Sequence, residues 1–416
     1  MMNSNKVKFA ITLQIVYFLT QISLHAQNTF SSPYSVYGIG MLHYRTSSLS
    51  RSIGGTGIAV QDEYSINPIN PASYSSIKSP ITHIHEIGLY IESNRYTSQS
   101  TIESKTSGGI TNLNYWFKFA KWWSATAGLT PYSSVSYKIK TQRELATTSL
   151  VNYTYEGSGN INQLYLGNAF NVVKNLSVGV HAAYFFGNIL KTESLDLYDG
   201  ESYLTYENKI VARTFHFDFG LQYKINFKNK SLVIGIIADD GLTLTAKQQN
   251  ALYDHNADTL SSGVGKTLKY KLPKYAGVGL SLNSKRYTIA ADLKFEDWSN
   301  ASYAKEEVVL QDTWKFSAGY IYKGNPEAEN YFGLVSLRTG FNVQQYPLKL
   351  KGKSSLMWGW SAGVSLPMFD GKSALNLTYS MDQFGTVEDK LVLQRSQKFI
   401  LDLVIRDLWG NKRRAD

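Results

Sequence analysis

The sequence predicts an all-β fold, an antiparallel transmembrane β-barrel of about fourteen strands with an N-terminal luminal plug. Three observations carry this. Across residues 81–409 the chain repeats segments of roughly ten residues in which apolar and polar side chains alternate. The connections between them are alternately short and long. Beyond residue 26 no apolar stretch is long enough to cross a membrane as a helix. The pattern is clearest over 215–227, where Phe215, Phe217, Phe219, Leu221, Tyr223, Ile225 and Phe227 alternate with His216, Asp218, Gly220, Gln222, Lys224 and Asn226. A period of two belongs to a strand and excludes a helix. Nearly every segment has such an apolar row and none of the intervening sequence offers a covering layer, so lipid is the cover.

The elements follow in order. Lys6 and Lys8, an apolar run over 9–19 and Leu24-His25-Ala26 ahead of Gln27, with no acidic residue, read as a cleaved secretory signal peptide over 1–26. Residues 27–80 do not alternate; Ser32-Pro33-Tyr34, Gly54-Gly55-Thr56-Gly57 and Asn67-Pro68-Ile69-Asn70-Pro71-Ala72 are turn chemistries spaced as in a compact irregular unit. Irregular backbone at membrane depth is tolerated only where protein or water covers it, so this segment is expected to fold into the lumen as a plug, or hatch. The barrel takes residues 81–416. Its strands are expected at 81–93, 108–120, 122–137, 158–173, 175–190, 205–227, 230–245, 268–283, 285–297, 311–323, 331–344, 354–367, 371–383 and 396–409. An even count brings both barrel ends to the periplasmic side. Tight connections at Lys121, Lys174, 228–230 and Ser284 agree with that side, and the longer polar ones are expected as extracellular loops. Tryptophan collects at membrane interfaces: Trp116, Trp122, Trp123 and Trp409 fall near periplasmic strand ends, and Trp298, Trp314, Trp358 and Trp360 near extracellular ones.

Composition narrows the function classes. The chain has no cysteine, which removes thiolate metal sites, disulfides and a lipid-anchored cysteine. Net charge is +10, or +8 once Lys6 and Lys8 are removed, and the one cluster is the tail Lys412, Arg413 and Arg414; this distribution argues against nucleic acid. Parity places His216, Asp218, Lys224, Asp292, Lys294, Arg338, Asp402 and Arg406 in the lumen, where mixed charges are expected to pair structurally. No catalytic residue, metal or cofactor is expected. His83 and His85 share a strand face with Ile87 and Leu89, which suits an interfacial belt better than a metal. Asp239 and Asp240 are adjacent and face opposite ways, so with His181 and His216 nearby they read as strand caps rather than a catalytic set. Gly54 to Gly57 lacks the lysine and helix of a phosphate loop.

Gly54-Gly55-Thr56-Gly57, then Asn70-Pro71-Ala72, then a barrel of about fourteen strands resembles the FadL-like family of outer-membrane transport proteins; Ser32-Pro33-Tyr34-Ser35-Val36-Tyr37-Gly38-Ile39-Gly40 looks like its Bacteroidota branch. The resemblance implies a hatch built on Gly54, Gly55, Gly57, Asn70, Pro71 and Ala72, and an inward kink in the third strand that opens the wall sideways. Pro131 is the residue placed to make that kink, since proline removes a ladder N–H. The implied function is passive uptake of hydrophobic, fatty-acid-like molecules across the bacterial outer membrane, with lipid, lipopolysaccharide and a hydrophobic ligand as partners. The alternative is a non-transporting barrel subunit of a secretion or barrel-assembly complex, with other complex members as partners. By the same resemblance, extracellular loops at 191–204 and 246–266 are expected to form a hydrophobic groove, with Leu195, Leu197, Tyr198, Tyr203 and Leu204 on one side and Asp254, His255 and Asp258 in the other, more polar loop. The chain departs from the family in placing Gly410 to Asp416 after its last aromatic, Trp409.

Overall fold

The computed structural model describes residues 32–145, 149–196, 202–303, 308–349, 352, 354–368, 372–388 and 391–407; the expected signal peptide, Leu197, Tyr198, Trp409 and the basic tail lie outside them. The strands are β1 (Met41–Leu42), β2 (His83–Thr97), β3 (Ile102–Lys118), β4 (Trp123–Leu145), β5 (Ser149–Val173), β6 (Leu176–Asp196), β7 (Ser202–Asn226), β8 (Lys230–Asp239), β9 (Thr243–Asp254), β10 (Thr259–Lys271), β11 (Lys274–Ser284), β12 (Tyr287–Asp297), β13 (Ser302–Tyr303), β14 (Thr313–Tyr322), β15 (Ser336–Gln345), β16 (Leu356–Met368), β17 (Ser373–Phe384) and β18 (Leu393–Asp407). Fourteen form a closed antiparallel barrel, with β18 pairing along β2 to complete the circle. The others are β1, which belongs to the segment inside the barrel, and β9, β10 and β13 at its extracellular end.

Alternation decides which face each side chain takes. On β7 Phe215, Phe217 and Phe219 are exposed on the outer wall while Asp218 and Gln222 are buried on the inner one. Near the periplasmic rim the outward rings form a belt: His85 lies 4.6 Å from Tyr115, Phe117 4.4 Å from Phe119, and Phe119 4.1 Å from Trp123. His83 and His85 belong to this belt.

Four expectations need correction. The extracellular connections are not mainly loops. β2 and β3 run on to the short turn 98–101, β6 and β7 stay paired out to Leu195 and Leu204, and most of 246–266 is the β9–β10 hairpin. Beyond the lipid both faces of a strand meet water, so the apolar half of the alternation disappears while backbone pairing continues; residues 102–106 are exposed on both faces. For the same reason the groove expected from two loops is replaced by strand pairing, with β9 lying along β7. The eighth wall strand therefore begins at Lys274 rather than 268, because Leu268 and Tyr270 belong to β10. Finally, Trp116 and Trp298 are not interfacial. Both are buried, their parity turns them inward, and their indole N–H groups donate to Tyr74 O (3.0 Å) and Glu296 Oε2 (2.8 Å). Trp122, Trp314 and Trp360 are exposed.

The interior is filled in layers. Ile66, Tyr74 and Ile77 pack against Ile84, Trp116 and Val404 toward the periplasmic end. Leu49, Ile53 and Val60 meet Ala290 and Ile321 midway. A larger cluster at the extracellular end joins Tyr34 and Ile39 to Val135, Phe185, Leu244, Tyr270, Trp298 and Tyr346.

Candidate functional site

Residues 32–80 lie within the lumen and meet the wall through three kinds of contact. The first is close backbone approach over wall glycines. A side chain at Gly179 would collide with Pro71 and Ala72, at Gly220 with Asn70, at Gly235 with Ile58, and at Gly340 with Ile53 and Gly54. These glycines take inner positions on the neighbouring strands β6, β7 and β8 and, further round the wall, on β15. Each leaves room only for bare backbone.

The second contact is Asn70-Pro71-Ala72. Pro71 opens a short 3₁₀ helix (Pro71–Ser76), for which Asn70 is the N-cap, its Oδ1 accepting from Ala72 N at 3.0 Å. Its Nδ2 donates the other way, to Ile58 O at 2.7 Å, and reaches Leu221 O and Ile236 O of the wall at 3.2 and 3.3 Å. One amide thus ties two plug turns to β7 and β8. The glycine turn is held similarly: Gly54 N donates to Ser361 Oγ at 2.9 Å, Gly55 N to Ser50 O at 2.8 Å, and Gly54 and Gly55 take φ of +71° and +79°, where glycine is favoured.

The third is charge. Arg45 pairs with Asp218, whose other oxygen accepts from His181 Nδ1 at 2.8 Å; His181 Nε2 lies 2.6 Å from the Tyr74 hydroxyl. The Asp218 carboxylate can only accept, so His181 donates to it from Nδ1–H. Arg51 pairs with Asp402 at 2.5 Å and also donates to Asn112. Asp292 accepts the amides of Gly57 (2.6 Å) and Ile58 (2.9 Å), and Glu86 accepts that of Ser48 (2.9 Å). The lumen residues were expected to satisfy one another; Asp218, Asp292 and Asp402 instead each take a partner from the plug. Pairs within the wall are Lys294–Glu296 at 2.8 Å, with the ammonium between the rings of Tyr44 and Tyr275, and His216–Asp239 at 2.7 Å. Arg406 donates to Tyr64 O at 2.6 Å, Lys224 is half-buried toward the periplasmic end of β7, and Arg338 is 8 % exposed. Arg45 and Arg51 were missed at the sequence level. Their signal was present: they are the only Lys or Arg residues between residues 32 and 60, in a segment placed inside a lumen that carries inward carboxylates.

The wall is not uniform around the site. β4 pairs with β5 along its whole length, with a register shift at Pro131/Ser133. It pairs with β3 only from Ser124 to Leu129. Above that point β3 keeps β2 alone, and the freed edge of β4 is taken by the plug: Met41 and Leu42 pair with Ser134 and Ser133, His43 N donates to Tyr132 O, and Ser32 N to Ser136 O. A seam therefore runs between β3 and β4 at Pro131, sealed on one side by the protein's own chain. One pocket beside the plug holds about 120 Å³, lined by groups including Tyr44, Tyr132, Tyr275, Lys294, Glu296 and Lys315. A second, of about 70 Å³, lies nearer the outside among Tyr34, Met41, Trp298 and Tyr346.

A family model described as BamG matches residues 7–416. No curated protein matches the sequence. Among solved structures the chain is similar to the CymD monoaromatic hydrocarbon channel, at 13 % identity and TM-score 0.56, over 87 % of this chain and 97 % of that one. It is also similar to the Pseudomonas putida toluene transporter TodX, at 16 % identity and TM-score 0.54, over 88 % and 99 %. At such identities the likeness shows the fold alone, that of a FadL-type barrel.

Proposed function

The chain belongs to the BamG family, and on that premise we propose that it is a non-transporting barrel subunit of an outer-membrane complex for protein secretion or barrel assembly. The observation that supports this most is the seating of the plug. To leave, it must break Arg45–Asp218, Arg51–Asp402, two amide bonds to Asp292 and the bonds of Asn70 together. Each would strand a buried group at a cost of about 1–3 kcal/mol, and more for the charges. The larger of the two spaces described holds only about 120 Å³ and places Lys294, Lys315 and Glu296 among its apolar lining, which disfavours a greasy passenger there. On this reading Gly54, Gly55, Gly57, Asn70, Pro71 and Ala72 form a fixed seal, the luminal charges hold it, and no catalysis is involved. Isolation from native membranes in mild detergent tests it. A stoichiometric large partner is expected, and a solitary barrel carrying a hydrophobic molecule in its lumen would overturn the reading.

The seam between β3 and β4 favours a second reading, passive uptake of a hydrophobic, fatty-acid-like molecule with lateral exit at Pro131. Proteoliposomes holding the purified barrel would then take up labelled toluene or palmitate faster than protein-free vesicles. Equal rates would leave the subunit reading alone.

A further inference from the structure

All six connections at the periplasmic end carry a lysine: Lys121, Lys174, Lys228, Lys285, Lys323 and Lys372. Lys323 is half-buried and the other five are exposed. The acidic groups at that end, among the described residues, are Asp62, Glu63, Glu327, Glu329 and Asp407, and Glu63 is already matched by Lys78 at 3.5 Å. The positive field does not stop at the rim. Just inside the mouth stands Lys224, half-buried, while Arg338 and Arg406 lie deeper, beside the carboxylates of Asp62 and Glu86. The opposite end differs: there Lys138 pairs with Glu156, and Glu103 stands beside Lys105.

We infer that the periplasmic face of this barrel docks an acidic surface of a periplasmic protein that covers the mouth. This deepens the subunit reading and rests on it. Phospholipid phosphates would account for lysines around the rim, but lipid headgroups surround the barrel and do not reach Lys224, half-buried inside it. A protein lying across the mouth meets both. Charges of one sign gathered on one face also speed encounter with an oppositely charged partner and make it salt-dependent.

The test places a photo-crosslinking amino acid at Asn229, between Lys228 and Lys230 on an exposed turn, in cells that make the full natural complex. The expected product is a crosslink to a periplasmic protein through a peptide rich in Asp and Glu. It should fall at least fivefold in the variant Lys121→Glu, Lys174→Glu, Lys228→Glu, Lys285→Glu, and fall likewise when salt is raised in isolated membranes. Heat-modifiable gel mobility reports whether that variant still folds, and the pair Lys174→Glu, Lys228→Glu, expected to lose about half the signal, serves if it does not. A crosslink to phospholipid only, or to a peptide without acidic residues, or one unchanged by charge reversal, would overturn the inference. If the charge-reversed barrel still isolates with its partner, docking through this face is wrong and the subunit reading stands; if the native barrel isolates with none, the subunit reading itself fails.

Discussion

Asn70 uses both ends of its amide, and no other side chain provides an acceptor for Ala72 N together with a donor to the wall carbonyls in so short a reach. Asn70→Ala should therefore cost about 1–3 kcal/mol of plug seating, from a lost cap and stranded carbonyls. Gly220→Val should do more, because its side chain would occupy the place of the Asn70 carboxamide. Limited proteolysis of residues 32–80 in the folded barrel checks both, with faster cleavage expected and the order Gly220→Val above Asn70→Ala. His43 adds a pH dependence. Its Nε2 lies 2.9 Å from Ser134 Oγ, and burial, helped by the charge of Lys398, pushes its imidazole down to about 3. A released plug would protonate this ring near its ordinary value of about 6.5. The seated plug binds fewer protons, so seating weakens as pH falls from about 6.5 toward 3 and is constant above that window. Cleavage of the plug should rise across it, and His43→Gln should flatten the response.

At the scale of elements, β3 and β4 separate roles that the other wall strands combine. From Ser124 to Leu129 β4 is hydrogen-bonded on both sides; β3 from Ile102 to Asn112 is paired with β2 alone. Hydrogen exchange should resolve this within one strand, with amides over 102–112 exchanging about tenfold faster or more than those over 113–118. Equal protection would mean that the seam closes in the membrane. The strands themselves were legible where lipid imposes a contrast between faces, as on β7 from Phe215 to Phe227. They were not legible above the membrane: β9 and β10 read as a polar loop because water wets both of their faces and leaves only backbone pairing, which side chains do not report. Trp116 and Trp298 failed for a related reason. Their place near strand ends suggested a membrane interface, and parity, which put them on the inner face, was the stronger signal.

For the whole molecule, a seated plug and a charged residual cavity predict silence in planar bilayers. The native barrel should show no step above baseline, while deletion of residues 32–76 should open a wide conductance if the barrel still inserts; a native pore of comparable size would argue that the plug is mobile. That experiment addresses the molecule as a wall with a filling. Its charge is arranged on the same scale: one lysine per periplasmic turn is visible in the sequence only as scattered lysines, and becomes a basic face once the turns are brought to one end.

The sequence alone determined the barrel and which charges face inward, because both follow from a period of two read against lipid, a rule that acts residue by residue. It also marked the unpatterned stretch before the barrel as something other than a linker. Only the tertiary structure decided what those inward charges do. Asp218 and Asp402 take Arg45 and Arg51, which are distant in sequence, wall glycines receive the backbone of the plug, and the edge of β4 released at Pro131 is filled by Met41 and Leu42. Such pairings depend on which parts of the chain closure brings together, and alternation carries no information about partners.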